Sequence, residues 1–123
     1  MTHFGRVELE RRVFPRFKLE IPVSYVVENE PPRTGVTANA SRGGLLLYLP
    51  EKLDSGLRLR IKMFLSDRKA PRMIEVVAKV VWINEQPEPA DKGFKAGVAF
   101  EQIAPADLEY FLQFERLWLE QAH

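Results

Sequence analysis

The stretch Leu57-Arg-Leu-Arg-Ile-Lys-Met-Phe-Leu65 decides the fold class. Its residues Leu57, Leu59, Ile61, Met63 and Leu65 fall on every second position, with Arg58, Arg60 and Lys62 between them. A period of two belongs to an extended chain with one buried face, whereas a helix repeats every 3.6 residues. The same alternation recurs on either side. Leu19, Ile21, Val23, Tyr25 and Val27 predict a strand over 18–27. Ile74, Val76, Ala78, Val80 and Trp82 predict another, and Phe94, Ala96, Val98 and Phe100 one more. Shorter runs at 34–38 and 45–49 bring the set to six strands. Segments rich in Pro, Gly or charge at 28–32, 50–56, 66–72 and 86–92 separate them.

Beyond the last strand the pattern changes. Pro105 suits the first turn of a helix, Asp107 and Glu109 place acids where the helix dipole favours them, and no breaker follows, so 105–121 is predicted helical. Six antiparallel strands and one helix read as a mainly β protein, a six-stranded antiparallel β-barrel with a C-terminal α-helix, because closure removes exposed sheet edges. The expected organisation is a single domain over 1–123, with a flexible N-terminal segment (1–16), the barrel (17–103) and the helix (105–121). On a helical wheel Leu108, Tyr110, Phe111, Leu112, Phe114, Leu117, Trp118 and Leu119 cover more than half of the circumference. The surplus around Tyr110, Phe114 and Leu117 is expected to meet a second copy, another protein or a folded-over segment of the chain.

Composition excludes several function classes. Without cysteine, the 123 residues have no disulfide framework, thiolate nucleophile or Cys-based zinc site. Eighteen Lys and Arg against seventeen Asp and Glu leave a charge of +1, a poor footprint for a protein that tracks polymeric nucleic acid. A small anion at one basic spot fits better. No signal-peptide pattern and no run of about 18 apolar residues is present, so a cytoplasmic protein without membrane insertion is expected. His3 and His123 sit at the two ends, and Asp54, Asp67 and Asp91 occupy loops without metal-ligand spacing. No metal, cofactor or catalytic activity is expected.

Two clusters carry the chemistry. Arg12-Val-Phe-Pro-Arg16 places two forked, planar donors just before the first strand, in a segment where Pro15 disfavours helix at Phe14. Asn39-Ala-Ser41-Arg-Gly-Gly44 supplies an amide, a hydroxyl and two glycines that permit close backbone approach or positive φ. Each alone is ordinary, the first a pair of solvated arginines and the second a polar hairpin turn. Together they match RxxxR and [D/N]xSxxG, and over roughly 10–103 the chain resembles the PilZ domain family. That resemblance implies the same barrel and a cyclic di-GMP ligand, with Arg12 and Arg16 on phosphate or guanine edges and Asn39, Ser41, Gly43 and Gly44 at a guanine-recognising turn. It further implies that Arg11, just before RxxxR, helps set whether one ligand or an intercalated pair is held.

Arginine suits this ligand because it bonds phosphate and the O6 and N7 of guanine bidentately. Arg42 reads as a bystander. Trp82 lies on the apolar parity of its strand and is expected in the core, with the barrel rim near the ligand as the alternative. The like-charged segment 6–16 is expected to become ordered when the diphosphate arrives. The function implied is a receptor that signals to a downstream protein. The alternatives are a docking module for a pilus or flagellar component with weak or no nucleotide binding, and a single-strand binder of OB type.

Overall fold

A computed structural model describes residues 14–66 and 71–121. It contains β1 (Phe17–Lys18), β2 (Pro22–Val27), β3 (Arg33–Ser41), β4 (Gly44–Leu49), β5 (Arg58–Ser66), β6 (Pro71–Ile83), β7 (Phe94–Ile103) and α1 (Pro105–Gln121). All strand pairs are antiparallel, in the order β3-β2-β5-β6-β7-β4, and β4 returns to β3 to close a six-stranded barrel. The two-residue β1 lies outside this ring and pairs with β3 through Phe17–Ala40 and Lys18–Asn39. The expected first strand over 18–27 is thus two pieces. Between them, Thr37 Oγ1 accepts from the Ile21 N–H at 2.9 Å and donates to the Leu19 carbonyl, so a side chain takes the place of ladder bonds.

The alternation read from the sequence fills the barrel. Val23, Tyr25 and Val27, then Leu59, Ile61, Met63 and Leu65, Ile74, Val76, Ala78 and Val80, and Ala96, Val98 and Phe100 are all buried. One opening is capped by α1. Phe111 meets Phe100 edge-on at 5.6 Å, and Phe17 stands 6.2, 6.0 and 5.7 Å from the rings of Phe111, Phe114 and Trp118. Such aromatic pairs add about 0.5–1.5 kcal/mol each beyond their buried area. The helix start is pinned to β6, where Asp107 accepts from the Glu75 N–H at 3.2 Å and from Arg72 at 3.1 Å.

Of the occupants expected for the apolar arc, this packing supplies the folded-over segment of the chain. Phe114 is buried against Phe17, Tyr110 packs on the core with its hydroxyl donating to the Leu65 carbonyl at 3.1 Å, and Leu117 is half-buried. Wheel geometry ignored that β1 contributes an aromatic residue to the same cap, so the helix buries more of its circumference than a barrel alone would cover.

Candidate functional site

Strict alternation would have placed Asn39 inside the barrel, since it shares parity with the buried Gly35 and Thr37. A bulge between Thr37 and Asn39 inserts one residue, so that Asn39 faces outward and Ala40 becomes fully buried. A second bulge, between Val80 and Trp82, does the same on β6. Trp82 therefore leaves the inward parity of Ile74, Val76, Ala78 and Val80 and is 39% exposed. The expected core position is corrected: one inserted residue shifts the pleat, which period counting cannot see.

Both bulges deliver their residue to the same line across the sheet. Asn39 pairs with Leu46, Leu46 with Gly97, and Gly97 with Trp82. At about 4.8 Å per strand this row runs roughly 14 Å over the outer surface. Lys18 of β1 extends it beyond Asn39. Gly97 leaves room for Trp82, since a Cβ there would overlap atoms of the indole ring.

At the Asn39 end, the two sequence clusters meet. Arg16 Nη1 donates to Asn39 Oδ1 at 2.7 Å across 23 positions of sequence. Arg11 and Arg12 lie outside the described residues. Asn39 and Ser41 sit on β3 itself, and the turn is only Arg42–Gly43, shorter than the expected six-residue loop. Two-residue hairpins ordinarily use left-handed residues. Here neither turn residue has positive φ, and the left-handed glycines are Gly56 and Gly93 instead. Other bonds hold the turn. Ser41 Oγ, fully buried, accepts from the Gly43 N–H at 3.1 Å, and the Gly43 carbonyl accepts from the Phe100 N–H at 3.0 Å. Gly44 is needed because a Cβ would collide with the backbone carbonyl of Val98. Ser41, Gly43 and Gly44 thus press the hairpin tip onto β7, while Asn39 offers its side chain at the surface beside Arg16.

Sequence reading missed the role of Arg42. Its guanidinium donates from Nε and Nη2 to Glu115 Oε1 at 3.2 and 2.8 Å and covers the Phe14 ring at 4.9 Å. Glu115, on α1, is 1% exposed, and its Oε2 has no hydrogen-bond partner among the described residues. The motif turn is therefore tied to the helix and to the chain just ahead of Arg16. Lys79 and Lys95 are half-buried on the outer parity of β6 and β7.

Among the described residues no group of His, Asp and Glu could hold a metal, and no helix is long and apolar enough to cross a membrane. The family model for the PilZ domain matches residues 10–115. Among solved structures, the Bacillus subtilis inhibitor of motility, MotI/DgrA, superposes with a TM-score of 0.73 at 25% identity, covering 89% of this chain and 52% of that one. The chain thus spans about half the length of that protein. The PilZ domain of YcgR from Escherichia coli, solved with c-di-GMP, gives 0.64 at 15% identity, covering 89% and 90% of the two chains. The PilZ domain of CeSA from a cellulose-synthesizing bacterium gives 0.58 at 18%, covering 89% and 99%. No curated protein matches the chain.

Proposed function

Because the chain belongs to the PilZ domain family, we propose that it binds cyclic di-GMP on the outer face of the barrel around Arg16 and Asn39 and passes that signal to a protein partner. The observation that carries this reading is the 2.7 Å bond between Arg16 and Asn39, which brings both halves of the motif to one surface point. An arginine fork beside a carboxamide matches a guanine edge or phosphate next to the donors of a base. Arg11 and Arg12 precede Arg16 by only a few residues and are assigned to the same ligand. Their closure over the outer face is the step by which binding alters the surface presented to the partner. The reading requires no catalysis. Likeness to an inhibitor of motility supports a partner in motility.

Calorimetric titration with cyclic di-GMP, compared with cyclic di-AMP and GTP, tests the assignment. Arg16→Ala should weaken binding roughly five- to a hundredfold, as expected for loss of about 1–3 kcal/mol, and Arg16→Lys should restore little because it lacks the fork. Asn39→Ala should reduce the preference over cyclic di-AMP. A folded Arg16→Ala protein with wild-type affinity would refute the site.

A further inference from the structure

We propose that two copies of this chain pair through the outward face of α1, antiparallel about a two-fold axis. The inference is independent of the nucleotide reading. Phe111, Phe114 and Trp118 turn one side of the helix into the aromatic cap around Phe17 and Phe100. Leu108, Leu112 and Leu119 lie on a second line, within about 40° of one another on the helical wheel and roughly 100° around from the first. All three are only half-buried. Shallow grooves follow this line, formed by Pro105, Leu108, Leu112 and Arg116 toward the helix start and by Leu112, Glu115 and Leu119 toward its end. Leucines at helical spacing beside open grooves have the form of a helix-pairing seam, into which side chains of a facing helix insert.

Charge identifies the occupant. Glu109 and Arg116 flank the seam on its exposed edge, about 10.5 Å apart along the axis. Neither has an ion-pair partner among the described residues. A second α1 laid antiparallel, with the two-fold axis between Leu112 and Gln113, sets Glu109 of each copy against Arg116 of the other. The same register brings Leu112 against its own counterpart and Leu119 between Pro105 and Leu108 of the facing helix. One choice of axis thus serves both charges and all three leucines, and such self-complementarity is what a two-fold interface demands. The edge that carries Glu109 and Arg116 lies about 180° from the aromatic cap, so the two barrels stand on opposite sides of the helix pair.

Analytical ultracentrifugation of the chain tests the pairing. The wild type should show a dimer that grows with concentration below about 1 mM, and Leu112→Asp should weaken it at least about tenfold. Glu109→Arg and Arg116→Glu each place like charges at both contacts and should weaken it several-fold. Both residues are exposed, so the melting curves of these variants should stay close to that of the wild type. Mixing the two single variants in equal amounts should restore pairing as a heterodimer, because one copy then offers two arginines and the other two glutamates.

A mixture that associates no better than either variant alone would overturn the antiparallel register and the proposal with it. A wild-type chain that stays monomeric over the whole range, its helix face being covered by its own terminal residues or reserved for a different protein, would overturn it as well. Nucleotide affinity plays no part in these measurements, so their failure would leave the proposed function standing.

Discussion

The outer surface of this barrel has two sides that a period-two pattern makes look alike and the structure makes different. On β5 and β6, Arg58 reaches Glu101, Arg60 reaches Glu75 and Arg72 reaches Asp107, so the basic stripe visible in the sequence is largely neutralised by neighbours. Lys79, opposite Arg58, and Lys95 on β7 have no such partners among the described residues, and Leu46, Gly97 and Trp82 line the row that leads to Asn39. Cations therefore stand paired at Arg58, Arg60 and Arg72, and unpaired at Lys79 and Lys95. What separates them is where the carboxylates stand, since exposed pairs screen each other and leave little field.

The strongest break of this contrast is expected at its boundary. Arg42 belongs by sequence to the motif but is tied to a buried carboxylate, so Arg42→Ala should destabilise the fold by about 1–3 kcal/mol. Urea denaturation reads this, and Glu115→Gln should recover much of the loss. An Arg42 that could be removed without cost would show that the pair with Glu115 does not hold the turn.

The two glycines sharpen the contrast next. Gly44→Ala drives a Cβ into the Val98 carbonyl and should cost about 1–3 kcal/mol, since backbone must shift. Gly97→Ala meets only the Trp82 ring, which can swing outward, so stability should fall by less than about 1 kcal/mol while Trp82 emission shifts. Equal losses in thermal denaturation would show that backbone, not the Trp82 ring, limits the space at Gly97.

On the neutralised side, Arg58→Ala and Arg60→Ala should each change stability by under about 1 kcal/mol and leave nucleotide affinity unaltered. A marked affinity loss in either would erase the distinction between the faces. The smallest effect concerns pH. Burial, reinforced by the hydrogen bond to Glu51, pushes the Tyr25 phenol well above its usual range. The folded chain then keeps that proton when the unfolded chain has lost it. Stability is intact below the ordinary phenol value of about 10 and declines as pH rises past it. Tyr25→Phe should flatten that decline in a pH series of melting curves.

The strands and helix were legible because alternation and a helix-starting proline are local signals. Leu57 to Leu65 and the segment from Pro105 illustrate this, as their exposure follows the pattern directly. The recognition cluster was legible as a motif, although its parts do different work, with Asn39 reaching the surface while Ser41 and Gly44 build the turn. Illegible were features set by one inserted residue or by distant pairing. Parity alone puts Trp82 in the core because a bulge leaves no mark on composition, and nothing near Arg42 in sequence points to Glu115, 73 residues away. The wheel leaves Phe114 over because Phe17, outside the predicted strand, fills the space beside it.

Phe17 has a mechanical consequence. It follows Arg16 directly, its side chain sinks among Phe111, Phe114 and Trp118, and its backbone pairs with Ala40, next to Asn39. It anchors the chain beside Arg16, and the bed beneath it is the C-terminal helix. Loosening that bed, by shortening α1 or trimming Trp118, should displace Arg16 although Arg16 itself is untouched. If the proposed function holds, a partner gripping the helix would tune nucleotide affinity from the far end of the chain, and bound nucleotide would by reciprocity alter the grip of that partner.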